Sequence, residues 1–105
     1  MKYCPLKFKP GVDLRGIQPE ALAMVPVVVA RFAEIGADYA MITSALDGKH
    51  STQSLHYKGK ALDWRIRHLK DGEAELVTKF IRLDLGQQFD VVLEKDHIHI
   101  EFDPK

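Results

Sequence analysis

Residues 89–103 read FDVVLEKDHIHIEFD, and this stretch decides the fold. Two apolar-rich runs, 89–93 and 97–102, flank Lys95-Asp96, so the segment reads as two strands joined by a tight connection. Side chains alternate along an extended strand. His97, His99 and Glu101 therefore share one face, while Ile98, Ile100 and Phe102 share the other. The two imidazoles sit about 6.5–7 Å apart at their Cα atoms. Such a strand packs its apolar side on a core and leaves a polar face in front.

The same alternation recurs upstream in KALDWRI, residues 60–66. Leu62, Trp64 and Ile66 take one face; Ala61, Asp63 and Arg65 take the other. Tyr39 to Thr43 reads as a short buried strand. Two segments carry helical spacing instead. Pro19-Glu20 opens a helix that Gly36 stops after about Ile35, with Pro26 predicting a kink or a late start. Asp71-Gly72 leads into a second helix through about Leu85, in which Leu76, Phe80 and Ile81 are the expected core face and Gly86 follows. The polar stretch SALDGKHSTQSLHY, residues 44–57, reads as a loop, and residues 1–17 as an extended arm. The expected architecture is α+β: a small, mainly antiparallel sheet with two helices packed on one side and a polar site on the opposite face. No repeat or linker divides residues 1–105, so one domain is expected.

Composition narrows the function classes. Fifteen basic residues balance fifteen acidic ones, which gives no electrostatic footprint for nucleic acid or an anionic membrane. Cys4 is the only cysteine, so an intramolecular disulfide and a multi-cysteine zinc site are both excluded. The longest apolar run, Ala21 to Ala30, is about half the ~20 residues of a membrane span and contains Pro26. It also reads poorly as a signal peptide, because Asp13 and Glu20 precede it and its pattern continues into Phe32 and Ile35. A monomer made in the cytoplasm, without membrane insertion, is the expectation.

The chemistry-bearing residues fall in two places, 54–63 and 94–99. Asp63 is opposite in parity to Leu62 and Trp64, so it points to the same side as His97 and His99. His56 lies in the preceding loop, where a turn at Gly59 brings it alongside. Two histidines and one aspartate hold a zinc ion with a fourth position open, the pattern of catalytic rather than structural sites. Zinc at such a site polarises a carbonyl and lowers the pKa of water toward ~7. Asp96 or Glu94 stands near enough in sequence to take a proton and pass it to a leaving amine. His68, outside both motifs, reads as a surface residue.

Ser54, His56, Gly59, Ala61 and Asp63 occupy all five fixed positions of an S-x-H-x-x-G-x-A-x-D motif, and His97-Ile98-His99 supplies a later H-x-H. Together they resemble the zinc D-Ala-D-Ala carboxypeptidases and L-alanyl-D-glutamate endopeptidases of peptidoglycan, over about residues 40–102. The resemblance implies one zinc per chain held by His56, Asp63 and His99, with His97 orienting water or a developing oxyanion. It implies Asp96 as general base, three positions before His99. A shifted reading makes His97 the ligand and Glu94 the base. The family arginine that grips a terminal carboxylate is missing upstream of Ser54. Only Lys49 and His50 offer positive or hydrogen-bonding groups there, and lysine lacks the two-pronged geometry. Ser54, Lys49 and His50 are thus the candidate substrate-binding residues, and an endopeptidase is favoured. Small size and the lack of a recognisable leader or wall-binding segment are similar to phage lysis enzymes, which reach the wall through a membrane pore. The rival expectation is a zinc-stabilised module that binds peptidoglycan or protein without cleaving it.

Overall fold

The computed structural model describes residues 3–46 and 58–104. Seven elements follow one another: β1 (Leu6–Phe8), α1 (Pro19–Glu34), β2 (Ala40–Ser44), β3 (Ala61–Arg65), α2 (Glu73–Leu85), β4 (Phe89–Leu93) and β5 (His97–Phe102). The sheet order is β1-β2-β3-β5-β4. Among the described residues only β1 and β2 pair in parallel, with α1 as the crossover between them; the other three pairings are antiparallel. This is the expected α+β architecture. The extended arm contributes the short strand β1, which the sequence left as irregular.

One face of the sheet is dry. Ile42, Leu62, Trp64, Ile98 and Ile100 are buried against Met24, Val28 and Phe32 of α1 and Val77 and Ile81 of α2. Burying side chains of this size stabilises by about 1.5–3 kcal/mol each, before conformational entropy is charged against it. In α1 the core stripe is Ala21, Met24, Val28 and Phe32, at helical spacing. Pro26 lies off that stripe on an exposed position, so the backbone carbonyl that loses its partner there is not trapped in the core. The helix therefore starts at Pro19 and runs through Pro26 without a late start.

The second helix is rotated from its expected face. Val77, Thr78 and Ile81 are buried, whereas Leu76 is 44% exposed and Phe80 only half-buried. The rotation places the Phe80 ring beneath the Arg31 guanidinium, 4.8 Å away, and Arg31 pairs with Asp84 at 2.6 and 2.8 Å. Thr78 is tolerated in the core because its hydroxyl donates to the Ala74 carbonyl at 2.7 Å. His68 is not a surface residue. Its ring stacks on Tyr39 at 4.0 Å and its Nε2 lies 2.8 Å from the Tyr39 carbonyl oxygen. It closes the core beside Phe32, where the connection after β3 turns back toward α2.

Candidate functional site

The register of two strands builds the site. Across β3 and β5, Asp63 stands opposite His99 and Arg65 opposite His97, while Leu62, Trp64, Ile98 and Ile100 point the other way. The polar residues thus project from the face that the helices do not cover. Along β3 on that face, Ala61 has no exposed surface and Arg65 is half-buried.

At its centre, His99 Nδ1 lies 2.9 Å from Asp63 Oδ1, and His99 Nε2 lies 2.7 Å from Glu101 Oε1. Asp63 is 9% exposed. The hydrogen bond to Asp63 outweighs desolvation and, with help from Glu101, pushes the His99 pKa up to about 9. Without metal, His99 is therefore a cation clamped between two carboxylates at neutral pH.

His97 is the next residue on this face. Its Nε2 lies 3.8 Å from Asp63 Oδ1, too far for a hydrogen bond, and its Nδ1 lies 2.6 Å from Asp96 Oδ1. That bond to His97 holds the Asp96 carboxyl below the usual carboxylate range. Glu94 differs: its backbone N–H closes the β4–β5 connection on the His97 carbonyl at 2.8 Å, and its exposed side chain forms no ion pair among the described residues. Of the two candidate bases, only Asp96 is bonded into the array that includes Asp63.

Among the described residues, two of the donors that the motifs assign to zinc, Asp63 Oδ1 and His99 Nδ1, stand side by side, whereas the one group of three possible metal ligands is Asp90, Glu101 and Asp103. Two ligands on one tetrahedral zinc, each ~2.0–2.1 Å from the metal, stand roughly 3.3 Å apart. Asp63 Oδ1 and His99 Nδ1, at 2.9 Å, need only a small adjustment to reach that separation. With Nδ1 on the metal, Nε2–H would still donate to Glu101, the outer carboxylate that orients ligating histidines in many metal sites. His56, Ser54, Lys49 and His50 lie outside the described residues.

Comparison with protein-family models and with curated proteins finds no match for this chain.

Gly59 shows why the turn before β3 needs glycine. Its φ is +72°, and a Cβ there would run into the Gly16 carbonyl group. The Gly59 carbonyl accepts from Gln18 N at 2.8 Å, which ties the start of β3 to the start of α1.

The sequence reading missed two contributions. Glu101 was placed on the right face by alternation but given no role. Arg65, read only as strand polarity, and Arg67, given no reading, line a pocket of about 210 Å³ with Lys9, Thr43, Asp96 and His97. The i, i+2 spacing of Asp63, Arg65 and Arg67 was the available signal. A larger recess of about 620 Å³ lies between α2 and β4 and includes none of the motif residues.

Proposed function

We propose that this chain is a zinc-dependent peptidase that cleaves the peptide stem of bacterial peptidoglycan, as an endopeptidase of phage or prophage lysis type. The observation that carries this reading is the 2.9 Å approach of Asp63 and His99 across β3 and β5, with the Asp96–His97 pair beside it. The sequence motifs assign these same residues to a zinc peptidase.

Asp63 and His99, with His56 from the preceding loop, would hold the metal. When bound, zinc supplies Lewis-acid polarisation of the scissile carbonyl and makes hydroxide available near neutral pH. Glu101 fixes the His99 ring by accepting from Nε2. Asp96 takes the proton from the attacking water and returns it to the leaving amine, a role that requires it to be ionised first. His97, anchored through Nδ1 to Asp96, turns Nε2 toward the reacting centre, where it orients water or donates to the developing oxyanion. Its hydrogen bond also couples the ring to the charge on Asp96, so the two act as a unit.

Zinc content by elemental mass spectrometry on untagged protein, together with release of amino groups from purified peptidoglycan, tests the reading. The wild type should hold about one zinc per chain and release amino groups. Asp63→Ala and His99→Ala should lose both properties. Stoichiometric zinc without amino-group release would favour the binding module; full activity in metal-free protein would overturn the zinc mechanism.

A further inference from the structure

We propose that Arg65 and Arg67, with Lys9, form a carboxylate-binding subsite immediately beside His97. The inference deepens the peptidase reading and rests on it for the nature of the substrate. The pocket combines three cations from two parts of the fold: Arg65 from β3, Arg67 just beyond it, and Lys9 where the chain leaves β1. Lys9 is fixed there by its backbone, which donates to the Ile42 carbonyl at 2.9 Å.

Charge balance favours an anion. Among the described residues that line the pocket, Asp96 is the only carboxylate, and it is bonded to His97 at 2.6 Å. Among the described residues, neither arginine forms an ion pair. The guanidinium of Arg65, at the end of β3, and that of Arg67, in the turn after it, both line the pocket and offer forked donors suited to a carboxylate. Thr43, also in the lining, turns its hydroxyl to the Asp63 carbonyl at 3.4 Å. Size favours a small group: about 210 Å³ lies below the ~300–1,000 Å³ of typical drug-sized ligand pockets.

Position favours a substrate carboxylate over a free ion. Arg65 is the cross-strand partner of His97 and stands two residues from Asp63. Along the strand, Arg65 stands about 6.5–7 Å from Asp63 at their Cα atoms, the length of about two residues. The subsite therefore supplies, from downstream of the S-x-H-x-x-G-x-A-x-D motif, the carboxylate grip that the sequence lacks upstream of it. A peptide stem offers two such groups, the α-carboxylate of its D-glutamyl residue and the terminal carboxylate of D-alanine.

The test uses zinc-supplemented protein and NMR titration with two short probes, N-acetyl-D-alanine and γ-D-glutamyl-L-lysine amide, each also as the carboxamide of its remaining carboxylate. At least one acid probe should bind, shift the side-chain Nε–H signals of Arg65 and Arg67, and bind at least tenfold tighter than its carboxamide. The acid that binds identifies the source. In Arg65→Gln/Arg67→Gln protein its affinity should fall about ten- to a hundredfold, with zinc content unchanged. Arg67→Gln alone, at the more exposed position, should give a smaller loss and guards against a folding defect. Equal binding of acid and amide, no binding of either acid, or wild-type affinity in the double variant overturns the subsite. Stem-peptide hydrolysis, measured in parallel, keeps the two claims apart. Acid binding at the arginines without hydrolysis overturns the peptidase and leaves the subsite; hydrolysis at wild-type kcat/KM in the double variant does the reverse.

Discussion

The two faces of the β3–β5 pair differ in nearly every physical respect, although they are made from alternating residues of the same two strands. Behind the sheet, Leu62, Trp64, Ile98 and Ile100 have no exposed surface and contribute through burial. In front, Asp63, His97, His99 and Glu101 retain contact with solvent and are organised by hydrogen bonds at 2.6 to 2.9 Å. The back is insensitive to chemistry and sensitive to volume. The front is the reverse, because its groups are valuable for their protons and lone pairs. Neighbouring residues can therefore be separated experimentally into those that hold the fold and those that form the candidate site.

The sharpest way to break this comparison is to truncate one residue on each side. Trp64→Ala should cost about 3–5 kcal/mol in denaturant unfolding, enough to unfold much of a marginally stable domain. His97→Ala, beside Trp64's cross-strand partner Ile98, should stay within about 1 kcal/mol of wild type, since its ring is partly exposed and its partner Asp96 is solvated. Similar losses in the two variants would show that the front face is structural.

The front face itself is divided by its two candidate bases. Asp96→Asn should lower the hydrolysis rate by about 10²–10⁴ with zinc content retained. Glu94→Gln should leave it nearly unchanged, because that carboxylate is not joined to the His97 array. If the loss falls on Glu94 instead, His97 is the ligand and the shifted motif reading is correct. A third substitution probes the seam between the faces. Gly59→Ala should destabilise by at least about 1–3 kcal/mol, since alanine is strained at φ +72° and meets the Gly16 carbonyl group. Thermal unfolding of the purified variant measures it, and a wild-type midpoint would mean the turn relaxes freely.

The front and back assignments were legible in the sequence because strand parity is local. Once Leu62 and Trp64 are taken as core, Asp63 must face forward, and the limits of β4 and β5 follow from apolar alternation. Register was less legible. Only the pairing across β3 and β5 sets His99, rather than His97, opposite Asp63. The face of α2 was misread for a related reason: Leu76, Val77, Phe80 and Ile81 all suit an amphipathic helix, and packing against β4 selects Val77 over Leu76. His68 looked like a surface residue because its partners, Tyr39 and Phe32, are distant in sequence. Arg65 and Arg67 carried a signal in their spacing, but its meaning depended on Lys9, brought in by a parallel pairing that no local pattern announces.

Two ion pairs respond to pH in opposite directions. On the helix side, Arg31 holds the Asp84 carboxyl below its ordinary range through an exposed hydrogen-bonded pair. A depressed carboxylate contributes stability above its unfolded pKa and loses it as pH falls through the lower folded value. Solvent screening keeps that contribution small, so Asp84→Asn should blunt acid unfolding below about pH 4 only slightly. On the site side, His99 is raised from 6.5 to about 9, first by its bond to Asp63. A raised imidazole contributes fully below its unfolded pKa and loses that contribution as pH rises through the folded one. In the presence of chelator, the unfolding midpoint should therefore decline between about pH 6.5 and 9. His99→Gln should remove this alkaline decline and leave the acid limb intact. Zinc should oppose the decline, because a metal that replaces the His99 proton binds more tightly as that proton becomes easier to remove. An alkaline decline of the same size in His99→Gln would show that the Asp63–His99 pair is not the pH-sensitive element of the front face.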